Sequence, residues 1–352
     1  MVFKKYFAAS NTPDGFFSYF PDIFSPDKLN RLFIIKGGPG TGKSTMMKLI
    51  ADLAAAKGYG AELYYCSSDT RSLDGVLIPE LSAAVIDGTS PHMTDPKYPG
   101  AVDVILDFGA YFDRKKLTEQ KDEIKRLCRA NAETHKKAVS YLSYAASAAR
   151  EAFGIYSSCA ARDKLKKTAK KLTESIKPDG GGAVQRQVTA FSTQGFVRLD
   201  TYEKAASKRV AICENFGEGA LLTGLICEEL TAKGVGYRYN VTNITPERRD
   251  LIYVPSARTL YELTPRLDKK DKQKYQKTVN MDRFIDKKRL SQSKSRLRML
   301  KKIKTSLYNE AAGYLKEAGK IHDDIEAIYK NAVDFDGVRE LMKKTAEEIF
   351  GN

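Results

Sequence analysis

No apolar run in this chain approaches the ~18 uninterrupted residues that a membrane helix needs, so no membrane span is expected. The first fifteen residues, MVFKKYFAASNTPDG, start basic, but their longest apolar stretch is only three or four residues. That is too short for a secretory signal, and the expected location is the cytoplasm. Cysteine is sparse: Cys66, Cys128, Cys159, Cys213 and Cys227 show no C-x-x-C spacing, as reduced and mostly buried thiols would. The three histidines are too scattered for a metal site, so no structural zinc is expected. Also missing are a Rossmann fingerprint, a nucleophile elbow, a paired Cys-His signature and the N-K-x-D base-specificity motif of many GTPases. The last absence favours ATP over GTP.

What the chain does have is one dense motif at 32–50, LFIIKGGPGTGKSTMMKLI. Leu32 to Ile35 read as a buried parallel strand, and the apolar pattern restarts after the glycines as an amphipathic helix. Between them Gly37, Gly38, Pro39, Gly40, Thr41, Gly42, Lys43 and Ser44 match G-x-x-x-x-G-K-[ST], and Thr45 follows as a further candidate for nucleotide binding. The glycines let successive N–H groups point into one concavity that suits phosphate. Lys43 is spaced to reach the β- and γ-phosphates, Ser44 can offer its hydroxyl to Mg²⁺, and the helix N-terminus aims its positive end at the anion. A purely structural glycine turn would not explain the Lys-Ser-Thr that follows.

At 352 residues, 42% hydrophobic and 29% charged, the chain suits a globular protein of two or more domains. A short strand is expected at 5–9, a turn at 11–15, and a helix from about Lys43 to Lys57 stopped by Gly58. Glu62 to Cys66 reads as a second strand, and Val85-Ile86-Asp87 as the end of a third. Strand, helix and strand in this order predict a parallel sheet with right-handed crossovers. Residues 101–177 read mainly as long helices, and PDGGGAVQ as a linker.

The pattern then recurs. Gly195-Phe196 repeats Gly15-Phe16, the Arg209 strand repeats the Arg31 strand, and AKGVG at 232–236 repeats AKGYG at 56–60. Asp250 and Pro255 match Asp74 and Pro79 at an offset of 176, and Asp286, Tyr329 and Asp336 match Asp113, Tyr156 and Asp163 at 173. An offset that drifts only slightly predicts a tandem duplication. One copy spans 1–183 with a helical arm at about 101–177, the other 184–352 with an arm at about 266–350. In the second copy Lys43, Ser44 and Thr45 fall on Gly219, Ala220 and Leu221, and Asp87 falls on Leu263. With Glu214 and Glu218 there to repel a triphosphate, this loop reads as degenerate.

SLDGVLIPELSAAVIDGTSPHMTDPKYPG (72–100), following FIIKGGPGTGKST, resembles a poorly characterised family of bacterial P-loop ATPases with tandemly duplicated nucleotide-binding domains. The resemblance covers the full length and implies nucleotide binding.

Phosphate-loop chemistry also needs a carboxylate for the water shell of Mg²⁺, from the end of a neighbouring strand. Asp87 is the candidate, the alternative being a turn-forming Asp-Gly. Asp69, at the end of the second strand, is a candidate base for an acceptor hydroxyl or a group that orients water, and equally a turn residue. Arg71 is either a phosphate contact or a solvent-exposed arginine, and His92 either a structural histidine or a contact with nucleotide or substrate. The net charge of +15 concentrates at 113–177 and 266–304, as a solvated helix face or as a surface for nucleic acid or a protein partner. Three functions follow: a regulatory or switch-type ATPase using ATP and Mg²⁺, a small-molecule or nucleoside kinase using Asp69 as base, and an ATP-dependent nucleic-acid binder.

Overall fold

As a computed structural model, the protein is described over residues 3–351. The chain opens with β1 (Lys4–Phe7), a hairpin of β2 (Ala9–Thr12) and β3 (Gly15–Ser18), the short helix α1 (Phe20–Ile23) and β4 (Arg31–Lys36). Helix α2 (Lys43–Ala56) leads to β5 (Glu62–Tyr65), β6 (Leu73–Ile78), β7 (Ala83–Asp87) and β8 (Asp103–Asp107). Then come α3 (Arg114–Glu119), α4 (Lys121–Ser158) and α5 (Arg162–Thr173). The second half continues with β9 (Ala183–Gln185), β10 (Thr189–Ser192), β11 (Gly195–Arg198), α6 (Thr201–Ala205), β12 (Lys208–Cys213) and α7 (Gly219–Ala232). It proceeds through β13 (Tyr237–Val241), β14 (Arg249–Val254), β15 (Thr259–Thr264), α8 (Lys269–Lys272) and β16 (Lys277–Asn280). Helices α9 (Lys287–Ser291), α10 (Lys294–Lys330) and α11 (Phe335–Phe350) close the chain.

The architecture is α/β, with two six-stranded mixed sheets and long helices. Their strand orders correspond position for position: β1-β5-β6-β7-β4-β8 in the first and β9-β13-β14-β15-β12-β16 in the second. The expectation of a parallel sheet needs correction. β4 is parallel to β7 and β8, but β6 runs antiparallel to both β5 and β7. Residues 73–87 are two strands, split at Pro79, where a short turn ending at Ser82 (φ +49°) sends the chain back. So short a connection makes only an antiparallel neighbour, since a parallel one needs a long crossover. Periodicity could not find β6, because strands buried on both faces look alike in either direction.

β4 is the centre of the first sheet. Phe33 and Ile35 join one core with Met46, Met47 and Ile50 of α2, while Leu32 and Ile34 face a second core shared between the halves, with Tyr202 and Leu260. α2 forms where it does because its apolar residues recur every three to four positions, burying Met46, Met47, Ile50 and Ala54 on one stripe.

The helices exchange between the halves. α4 and α10 pack antiparallel along most of their length, each about 55 Å long at 1.5 Å per residue. Small and apolar residues on α4 (Ala138, Leu142) meet Ala311 and Leu315 of α10. At one end Asp113 N donates to Ala332 O (2.8 Å), and at the other Ala161 N donates to Phe284 O (2.7 Å). Consequently α5, which belongs to the first half in sequence, buries Leu165, Ala169 and Leu172 in the core of the second sheet. α11 returns Val338, Met342 and Ala346 to the core of the first. The glycine-rich run at 179–182 is tied down, with Asp179 Oδ1 accepting from Gly181 N (2.9 Å) and Gly236 N (2.7 Å).

No helix among the described residues is long and apolar enough to cross a membrane.

Candidate functional site

The glycine-rich loop joins the C-terminal end of β4 to α2. Gly40 and Gly42 sit at φ +69° and +95°, a left-handed conformation that turns the amides inward at low cost only for glycine. Among the described residues the amides of Gly38, Gly40, Thr41 and Gly42 find no protein acceptor. They stand at the N-terminus of a fourteen-residue helix, where the macrodipole favours an anion. Thr41, buried, closes the turn by donating its hydroxyl to Gly38 O (2.9 Å). Pro39 is half-buried and Thr45 is exposed on the first turn of α2.

Lys43 folds back over this loop. Its Nζ donates to Gly38 O (2.7 Å) and Gly37 O (3.3 Å) and lies 3.5 Å from Asp87 Oδ2. Asp87 reaches it because β7 lies beside β4 with Ile35 opposite Asp87. Its other oxygen accepts from the Thr89 hydroxyl (2.5 Å) and amide (3.0 Å). Ser44 Oγ accepts from Leu73 N (3.0 Å), which ties the helix start to β6 and leaves its hydroxyl proton free. The loop, the lysine, the serine and the strand-end carboxylate are therefore within one small volume.

Asp69 is engaged differently. Its carboxylate accepts from Arg71 Nε (2.8 Å), Arg71 N (3.1 Å) and Ser72 Oγ (3.2 Å), closing the turn between β5 and β6. Burial works to raise its pKa, but the hydrogen bonds and charge of Arg71 outweigh it and hold the carboxyl below its ordinary value. Arg71 is exposed and also approaches Asp323 of α10 (3.8 Å). His92 is buried, stacked on Phe20 (centroids 4.3 Å apart) with its Nε2 3.1 Å from Asp74 Oδ2. It is part of the core beneath the sheet.

The residues that cover the loop were not found by sequence reasoning. They come from the far end of α10 and from α11. A Cβ added to Gly38 would lie 2.5 Å from the Tyr329 ring, and one on Gly40 would run into Glu326 Cγ and sit 3.1 Å from the Glu326 backbone oxygen. Met342 of α11 lies over Gly42. In the sequence Tyr329 is the repeat partner of Tyr156, which says nothing of where its helix docks.

The corresponding loop of the second half, between β12 and α7, is closed by its own side chains. Glu218 accepts from Asn215 N (3.0 Å) and Phe216 N (2.8 Å), and Glu214 accepts from Gly219 N (2.8 Å). These carboxylates take up amides of the second loop, whereas Gly38, Gly40, Thr41 and Gly42 of the first have no protein acceptor among the described residues. The register that places Asp87 opposite Ile35 here places Leu263 opposite Ile212. α4 covers this loop as α10 covers the first, with Tyr156 stacked on Phe216 at 5.2 Å.

Burial, reinforced by the neighbouring Glu218, pushes the Glu214 carboxyl up to about 7 against the opposing pull of Gly219 N–H and Lys304. An unfolded chain releases this proton near 4.5, so between about 4.5 and 7 the folded state binds more protons and stability falls as pH rises. The proton-linked loss is complete above the folded pKa, and at ~1.4 kcal/mol per unit it amounts to at most about 3.5 kcal/mol. Glu214→Gln keeps an acceptor for Gly219 N without the charge. Denaturant titrations at pH 5 and pH 8 are expected to show a smaller decline for the variant than for the wild type. Parallel declines would show that Glu214 does not carry the effect.

No family model matches the chain, and searches of curated proteins and solved structures likewise return no match.

Proposed function

We propose that residues 37–44 form a phosphate-binding loop for ATP, and that the chain is a switch-type ATPase with one live and one degenerate nucleotide site. The observation that carries this reading is the set of turned, unshared amides from Gly38 to Gly42 at the start of α2, with Lys43 and Asp87 converging beside them. Lys43 compensates the β- and γ-phosphates by exchanging its carbonyl contacts for phosphate oxygens. Ser44 and Asp87 are the residues that would hold Mg²⁺, which would draw charge from the phosphate oxygens. The shared strand order and the drifting sequence offset support a tandem duplication. The second copy has Gly219, Ala220 and Leu263 where the first has Lys43, Ser44 and Asp87, and its amides are taken by Glu214 and Glu218.

The switch element in this reading is the end of α10. Tyr329 and Glu326 pack on Gly38 and Gly40, so a phosphate group on the loop alters what α10 touches, and binding biases the helix between two positions. A kinase would need Asp69 free to accept a proton, whereas Arg71 and Ser72 hold it.

The test is phosphate release measured beside a screen of nucleosides, sugars and small alcohols. The expected result is release without an acceptor, lowered by about a hundredfold in Asp87→Asn and little changed in Asp69→Asn. Transfer to one acceptor that Asp69→Asn eliminates, with negligible free phosphate, would replace the ATPase reading with a kinase.

A further inference from the structure

The positive charge is distributed unequally between two halves of the same topology. Residues 266–304 contain sixteen Lys and Arg against four Asp and Glu, and the corresponding first-half stretch, 93–131, contains eight against seven. Helix exchange widens the difference. α5, seated on the second sheet, has six basic residues and one acid, whereas α11, seated on the first, has three basic residues and four acids. All six basic residues of α5 are exposed, as are all those of 266–304 except Lys304.

These two basic stretches meet. Ala161 N donates to Phe284 O (2.7 Å), Asp286 N donates to Cys159 O (2.9 Å), and Ala160 bridges Ile285. α5 and α9 therefore leave from one junction, and α10 begins a few residues later. Among the described residues Lys287, Lys288, Arg289, Lys294, Arg298 and Lys302 have no carboxylate partner. A solvated helix face serving only solubility would not need so one-signed a surface, nor one confined to a single half.

We propose that this surface, formed by α5, α9 and the first turns of α10, binds nucleic acid through its phosphate backbone. Backbone recognition is favoured over base reading because the exposed groups are Lys and Arg with no exposed aromatic among them. An anionic membrane suits the surface less well. α5 turns its apolar residues into the second core, and the large apolar side chains exposed in the region are only Met299 and Ile303 of α10. The surface is separate from the glycine-rich loop, so the inference stands or falls independently of ATP binding.

The experiment is fluorescence anisotropy with a labelled 20-bp duplex and a single strand of equal length, without nucleotide, from 50 to 200 mM salt. Wild type is expected to bind both, with log K falling linearly in log[salt] at about 0.9 per phosphate neutralised on the duplex. Replacing Lys166, Lys167, Lys287, Lys288, Arg289 and Lys294 by Gln is expected to weaken binding at least tenfold and flatten the salt slope by several units. The same charge change made at Lys115, Lys121, Lys125, Arg129, Lys136 and Lys344 is expected to cost less than threefold. All twelve side chains are exposed, and a thermal melt checks that both variants fold. Equal losses in the two variants, no binding at 50 mM salt, or binding only to phosphatidylserine vesicles would each overturn the proposal.

Discussion

Lys43→Ala is expected to lower ATP turnover by at least about a hundredfold and to weaken ATP binding strongly. It removes a cation whose Nζ lies on the loop carbonyls of Gly37 and Gly38, and preorganised charge of this kind is typically worth ~3 kcal/mol or more in a water-poor site. Part of the effect is structural. Lys43 Nζ bridges Gly37 O, Gly38 O and Asp87, so truncation takes a cation from the half-buried Asp87 carboxylate and leaves it hydrogen-bonded to Thr89. A melting curve separates the two contributions: a folded variant without turnover supports the chemical role. Ser44→Ala is expected to keep more nucleotide affinity than Lys43→Ala while losing Mg²⁺ dependence. Undiminished hydrolysis in Lys43→Ala would remove the lysine from the site.

The second large effect is expected from Gly40→Ala, because backbone and packing both oppose a side chain there. At φ +69° an alanine costs ~1–2 kcal/mol in any setting. In addition its Cβ would meet the Glu326 backbone oxygen at 3.1 Å and Lys330 Cγ at 2.9 Å, so the end of α10 has to move. Gly234→Ala isolates the backbone cost, since Gly234 has φ +66° and nothing within 4 Å of an added Cβ. Gly40→Ala is expected to be destabilised by about 1–2 kcal/mol more than Gly234→Ala. It is also expected to accelerate amide exchange in residues 323–334, measured by hydrogen–deuterium exchange. Equal destabilisation, with exchange in α10 unchanged, would show that the helix end does not rest on the loop.

Local structure was legible in the sequence where spacing alone specifies it. The strand at Leu32–Ile35, the glycine turn and α2 follow from residue type and period, and the apolar run ending at Asp87 puts a carboxylate at a strand end beside that turn. Long-range arrangement was not legible. β6 was hidden because a strand buried on both faces has no period-two signature to show its direction. The exchange of α5 and α11 was hidden because an amphipathic helix records that it has an apolar face, but not which sheet receives it. Glu326 and Tyr329 were missed for the same reason. The sequence predicts only that Glu214 and Glu218 repel a triphosphate, whereas in the structure they also accept from the amides of their own loop. A carboxylate two to five residues from a turn can serve as its internal anion, and sequence gives its proximity without its direction.

The most direct measurement is calorimetric titration of ATP with Mg²⁺ into the full chain. One site per chain is expected, lost in Lys43→Ala and retained in Glu214→Gln, because among the described residues unshared loop amides are found in the first half and self-occupied ones in the second. Two equivalent sites, or one site that survives destruction of the loop at Gly37–Ser44, would contradict it.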